Sequence, residues 1–147
     1  MREPLQPFSL APGEGRVLPT PAGGQVTFKV RGEESSGTVS VLEFEVPAGA
    51  GPRLHVHEEA EECIYVLHGA LRIQLGDEAH DAPAGSCVFI PRGIPHRFLN
   101  VGEERASLLA VYTPGGIEEF FENFAAGDAA GRGGAAPGDE RLPRHTG

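Results

Sequence analysis

At 147 residues the chain has room for one ordinary domain and little prospect of a second core. Its 21 acidic residues outnumber 12 basic ones, and a net charge of -9 excludes a nucleic-acid backbone as partner, because phosphates demand a concentrated basic face. The same balance disfavours an anionic membrane surface, and the first 18 residues carry no long apolar run, so neither a signal peptide nor a membrane span is expected and the chain reads as soluble and cytoplasmic.

Taken in chain order, residues 1–24 form a loop-like N-terminal arm broken by Pro4, Pro7, Pro12, Pro19, Pro21 and the Gly23–Gly24 pair. Residues 26–30 (VTFKV) alternate as a short strand. Residues 32–37 make a polar turn. In residues 38–46 (TVSVLEFEV), Leu42, Phe44 and Val46 share one face and Glu43 and Glu45 the other, the pattern of a half-buried strand. Residues 53–57 are expected to be extended, and an acidic cluster follows before the strand 63–67. Gly69 turns the chain into the strand 70–75, residues 76–85 make a polar connection, and strands at 87–90 and 96–101 flank a turn built from Pro91, Gly93 and Pro95. Residues 108–112 are the last strand. Ile117, Phe120, Phe121 and Phe124 then recur at helical spacing, the one helix signal, expected to lie against a rim. From 125 to 147 the Ala/Gly-rich composition cannot bury enough apolar surface to offset ordering entropy, and a disordered tail is expected. With 21 glycines and 13 prolines punctuating short strands, the fold class is all-β, a barrel or two-sheet sandwich over residues 25–124 with a short C-terminal helix. The two cysteines, Cys63 and Cys87, suggest no disulfide framework and are read as small buried hydrophobes.

The chemistry concentrates in four residues. His55 and His57, two apart in an extended segment, would leave one face together and make half of a transition-metal site. Glu62, opening the next strand, can fold back over that face as an oxygen donor, whereas Glu58 and Glu59 read as a solvated acidic loop. His96 follows a rigid turn that can aim one side chain inward.

The spacing is Gly49, five residues, His55, one residue, His57, four residues, Glu62, six residues, Gly69. After 15 intervening residues comes Gly85, five residues, Pro91, one residue, Gly93, two residues, His96, three residues, Asn100. These two runs resemble, position for position, the motif pair of the cupin family. The resemblance implies a jelly-roll β-barrel holding one divalent metal through His55, His57, Glu62 and His96, the metal being Fe, Mn, Ni, Cu, Co or Zn. It gives the motif glycines, Gly69 and Gly93 above all, the task of conformations a side chain would disfavour, and leaves Asn100 to tie down backbone. His68, His80 and His145 are read as non-ligands.

Three imidazoles and one carboxylate leave open positions on an octahedral ion, which suits catalysis or ligand binding better than a purely structural role. Ile64, Phe98 and Phe44 are expected to line an apolar substrate pocket. Arg53 shares the strand parity of His55 and His57, which would turn it inward to anchor a substrate anion or leave it an edge arginine in solvent. Thr113-Pro-Gly-Gly-Ile-Glu-Glu-Phe-Phe also resembles the C-terminal segment of small bacterial quercetin-dioxygenase-like cupins. That resemblance implies an oxygenase of a small aromatic or enolic compound with Glu62 as both ligand and catalytic base. A metal-dependent isomerase or lyase and a non-enzymatic metabolite-binding module are the alternatives. A small-molecule substrate and a homodimer are expected, with the N-terminal arm reaching to the partner.

Overall fold

The computed structural model describes residues 4–127. Nine strands and one α-helix are assembled as β1 (Arg16–Pro19), β2 (Gln25–Val30), β3 (Ser40–Val46), β4 (Glu61–His68), β5 (Ala70–Leu75), β6 (Glu78–Pro83), β7 (Cys87–Ile90), β8 (His96–Asn100), β9 (Ala106–Thr113) and α1 (Glu118–Ala125). All pairings are antiparallel, in a six-stranded sheet ordered β1-β2-β3-β9-β4-β7 and a three-stranded sheet ordered β6-β5-β8. The hydrogen-bonded ladders therefore form two sheets of a jelly roll rather than one closed ring. Among the described residues no helix is long and apolar enough to cross a membrane.

Strict alternation explains the central strands. In β3, Ser40, Leu42, Phe44 and Val46 are buried, and in β9 so are Ala106, Leu108, Ala110 and Tyr112. β4 sends Glu62, Ile64 and Val66 inward and leaves Tyr65 in solvent. These inward faces, with Leu71, Ile73 and Phe98 of the smaller sheet, form one apolar core between the sheets.

Two strands lie where the sequence suggests loop. β1 falls inside the expected arm, pairing Arg16 with Phe28 through Pro19 with Gln25. It is an edge strand, where a proline at the outer end loses no ladder bond. β6 (EAHDAP) occupies the expected polar connection, and it too is an edge, with only Ala82 buried. An exposed edge has no face to alternate, so its polar sequence carries no periodic signal.

The segment 53–57 differs in the opposite direction. Instead of a strand it makes a single bridge, His55 opposite His96, with both backbone hydrogen bonds formed at 3.0 and 2.8 Å. Leu54, His55, Val56 and His57 are all buried in succession. A segment enclosed on both sides cannot keep the period of two, and Arg53 at its outer end is exposed.

α1 lies where Ile117, Phe120, Phe121 and Phe124 place it. Phe121 is buried edge-on against Phe44, ring centroids 5.5 Å apart. Glu118 is buried at the helix start, accepting hydrogen bonds from Ser40 Oγ at 2.6 Å and Gly32 N at 2.7 Å. Of the segment 125–147 read as a tail, Ala125 closes α1, and the sequence from residue 128 lies outside the described residues.

Candidate metal centre

Backbone tethers bring the candidate ligands together. The turn before β8 is drawn onto the His57 segment by the Gly93 amide, which donates to the His57 carbonyl at 2.8 Å. Gly93 has φ +85°, a conformation open to glycine and strained for other residues. Arg92 pairs bidentately with Glu61 at the start of β4, one bond being 2.8 Å, and secures the same turn from outside. Asn100 works at the far end of β8, its amide donating to the carbonyls of Val46 and Glu104 while its oxygen accepts from Gly102 N. His96 thus enters beside His55 and His57, and Glu62 arrives on β4 from the other sheet.

The three imidazoles are buried and packed together, His55 edge-on to His57 with ring centroids 4.9 Å apart, and His96 tilted against His55 at 4.4 Å and His57 at 5.0 Å. One ring nitrogen from each lies within 4.8 Å of the other two. Glu62 Oε1 is 3.1 Å from His96 Nε2 and 3.4 Å from His57 Nε2. Two of the rings are oriented by one local device: His55 Nδ1 contacts the Arg53 carbonyl at 2.7 Å, and His96 Nδ1 the Ile94 carbonyl at 2.9 Å. A carbonyl only accepts, so Nδ1 carries a proton in both rings; Nε2 of His55 keeps its lone pair, and Nε2 of His96 frees its own by giving up the proton it shares with Glu62. That tautomer, fixed by a hydrogen bond on the far nitrogen, is what a metal-ligating histidine requires. The donor set, borderline nitrogens with an adjacent carboxylate oxygen, fits a divalent transition metal.

The electrostatics agree. Burial, then the neighbouring His96 and His57 rings, lowers His55 to about 3, so it is neutral and a competent donor at neutral pH. Burial pushes Glu62 up, but hydrogen bonds from His57 and His96 outweigh it and hold the carboxyl well below its ordinary range. Burial likewise pulls His96 down, yet its hydrogen bond and charge interaction with Glu62 prevail and raise it.

Of the other sequence-derived site residues, Phe44, Ile64 and Phe98 are buried, with Phe44 and Phe98 ring centroids 6.2 Å apart. Arg53 is exposed, and its carbonyl contacts the site through His55 Nδ1. His68 and His80 are exposed and stand outside the cluster, and His145 lies outside the described residues. Tyr112 was missed. It pairs with Glu62 across β4 and β9, is buried, and sets its ring edge-on to His57 at 5.7 Å. Burial raises its hydroxyl well above the ordinary value, and the charge and hydrogen bonding of Glu62 raise it further. Its parity with Leu108 and Ala110 was the available signal. The cysteines depart from expectation, Cys63 being half-buried and Cys87 exposed on the outer face of the large sheet.

Two facing antiparallel sheets with a buried three-histidine cluster and a carboxylate between them define a jelly roll able to hold a metal. The sequence profile of the cupin domain matches residues 42–112, which include all four candidate ligands. Over these residues the chain matches the cupin domain, and its fold is that of a solved RmlC-like cupin from Shewanella frigidimarina, with a TM-score of 0.66 and 15% identity, covering 78% of this chain and 96% of that chain. It is similar to the uncharacterized protein MJ1618 of Methanocaldococcus jannaschii, 32% identical over 51% of this chain and 60% of that one. It is also similar to the polyketide synthase protein CurC of Streptomyces cyaneus, 37% identical over 41% of this chain and 39% of that one. The match thus spans less than two thirds of either relative. The solved polyketide cyclase RemF of Streptomyces resistomycificus shares the fold, with a TM-score of 0.65 and 23% identity, covering 74% of this chain and 80% of that chain.

Proposed function

We propose that the chain is a metal-dependent enzyme, of the dioxygenase type, acting on a small aromatic or enolic compound. The observation that carries the reading is the carboxylate among the imidazoles: Glu62 Oε1 lies 3.1 and 3.4 Å from two Nε2 atoms in a buried setting. His55, His57, His96 and Glu62 would hold the ion. When bound, a divalent transition metal supplies Lewis-acid polarisation of a chelating oxygen and, for a redox-active ion, electron transfer. Glu62, kept anionic by its neighbours, would accept a proton from an enol or phenol hydroxyl, and Tyr112 beside it would hold that carboxylate in place. The apolar flank of Ile64, Phe44 and Phe98 would receive a flat, weakly polar ring and exclude water. The name of CurC, a polyketide synthase protein, is in keeping with a substrate of this kind.

The test is metal analysis of purified protein and of His96→Ala, followed by an oxygen electrode with catechols and flavonols. Metal-dependent dioxygen uptake, lost in Glu62→Gln with the ion retained, is the expected outcome. Substrate turnover that proceeds equally well without oxygen would replace this reading with an isomerase or lyase. Ligand-induced thermal stabilisation with no product would replace it with a binding module.

A further inference from the structure

β4 and β7 pair on the edge of the large sheet, with Cys63 opposite Phe89 and Tyr65 opposite Cys87. The two cysteines are therefore diagonal neighbours on the outer face. Their Sγ atoms are 3.6 Å apart, and neither is engaged in a disulfide. Cys87 is exposed and Cys63 half-buried, so a small reagent reaches one sulfur directly and the second stands behind it. The strong twist of paired strands is what draws one diagonal together. A disulfide needs the sulfurs at about 2.05 Å, so the pair must close by roughly 1.5 Å, a shift that an edge strand of four residues can absorb.

We propose that Cys63 and Cys87 form a reversible dithiol–disulfide couple, a modification site for low-molecular-weight disulfides on the face of β4 opposite Glu62. The Cys87 thiolate attacks one sulfur of the reagent, forming a mixed disulfide and expelling the first reagent thiolate, which takes up the proton Cys87 gave up. Cys63 then attacks Cys87 Sγ, gives up its own proton, and expels the second reagent thiol. One protein S–S bond replaces two S–H bonds, and the two electrons pass to the reagent, which leaves as two thiols. Because the second thiol is already in contact, closure outruns the buildup of mixed disulfide. A bridge across a strand diagonal departs from the relaxed geometry of structural disulfides, so reduced glutathione reopens it.

The full chain, first reduced, is exposed to a graded ratio of oxidised to reduced glutathione. It is then quenched with N-ethylmaleimide and weighed intact. The expected result for the wild type is a species lighter by two hydrogens, carrying neither maleimide nor glutathione, that is monomeric on a non-reducing gel and returns to the doubly alkylated form in excess reduced glutathione. Cys63→Ser is expected to stop at a single glutathione adduct on Cys87. Persistent glutathione adducts on wild type, a disulfide that forms only between chains, or two alkylated thiols at every ratio would each overturn the proposal.

Discussion

A proton and a metal compete for the same nitrogen at His96, and this fixes the pH dependence of the site. Glu62 raises the His96 pKa above its ordinary 6.5. In the metal-free protein, the pairing of protonated His96 with Glu62 therefore stabilises the fold fully below 6.5, and that contribution is lost as pH rises through the raised value. Glu62 runs the other way, contributing above its ordinary 4.5 and losing that contribution as pH falls through its depressed value. An ion needs His96 deprotonated, so its affinity should weaken by about tenfold per pH unit below the raised pKa, one proton being displaced at that ring. His55, lowered to about 3, sets no limit in this range. Chelator competition between about pH 6 and pH 8 measures the slope, and a flat profile would contradict a proton held at His96. Tyr112 acts on the same carboxylate from the β9 side. Tyr112→Phe keeps the ring packing against His57 and removes only the hydroxyl, so metal affinity should fall about 10- to 100-fold while the metal-free melting temperature barely changes. Unchanged affinity would reduce Tyr112 to core filling.

Among the elements, α1 reports how a short helix is held by one polar anchor. Glu118 is buried and receives Ser40 Oγ from β3 and the Gly32 amide from the turn after β2, while Gly116 N donates to Ser40 Oγ. Glu118→Ala should cost roughly 2–3 kcal/mol, since it strands two buried donors, and Glu118→Gln, which keeps an acceptor oxygen, should recover part of that. Chemical denaturation of the two variants checks the order, and equal stability would assign the anchoring to Phe121 alone. The elements also show what sequence patterning conveys. β3 and β5 were legible because apolar and polar residues alternate along them, β9 because it is a short apolar run, and the helix because its phenylalanines fall on one stripe. β1 and β6, edge strands with little to bury, left no periodic trace. The 53–57 segment misled for the reverse reason, since burial on all sides erased the alternation that would have placed Arg53 inward. The ligand histidines were legible from spacing, because tight turns fix how many residues separate them. Tyr112 was not, because its role comes from a cross-strand partner 50 residues away in sequence.

For the whole molecule, the position of the cluster matters more than its composition. Glu62 belongs to the six-stranded sheet and His96 to the three-stranded one, while His55 and His57 come from the segment running between β3 and β4. At this end the Glu62–His96 hydrogen bond joins the two sheets directly, the His55–His96 bridge ties the connecting segment to the smaller sheet, and the Arg92–Glu61 pair holds the turn before β8 to β4. An ion held by all four residues would tie both sheets and the connecting segment to one point, so unfolding either sheet would require releasing it. Binding to the folded state alone at a free concentration about 100 times Kd contributes about 2.7 kcal/mol, which for a domain of this size raises the melting temperature by about 10 °C. Thermal scans with stepwise added Mn, Fe, Co, Ni, Cu or Zn should show a concentration-dependent rise for the ion that fits. His96→Ala should abolish it, since that change unties the smaller sheet from the centre. A rise of equal size in His96→Ala would mean that the ion binds elsewhere, the acidic surface being the obvious place in a chain of net charge -9.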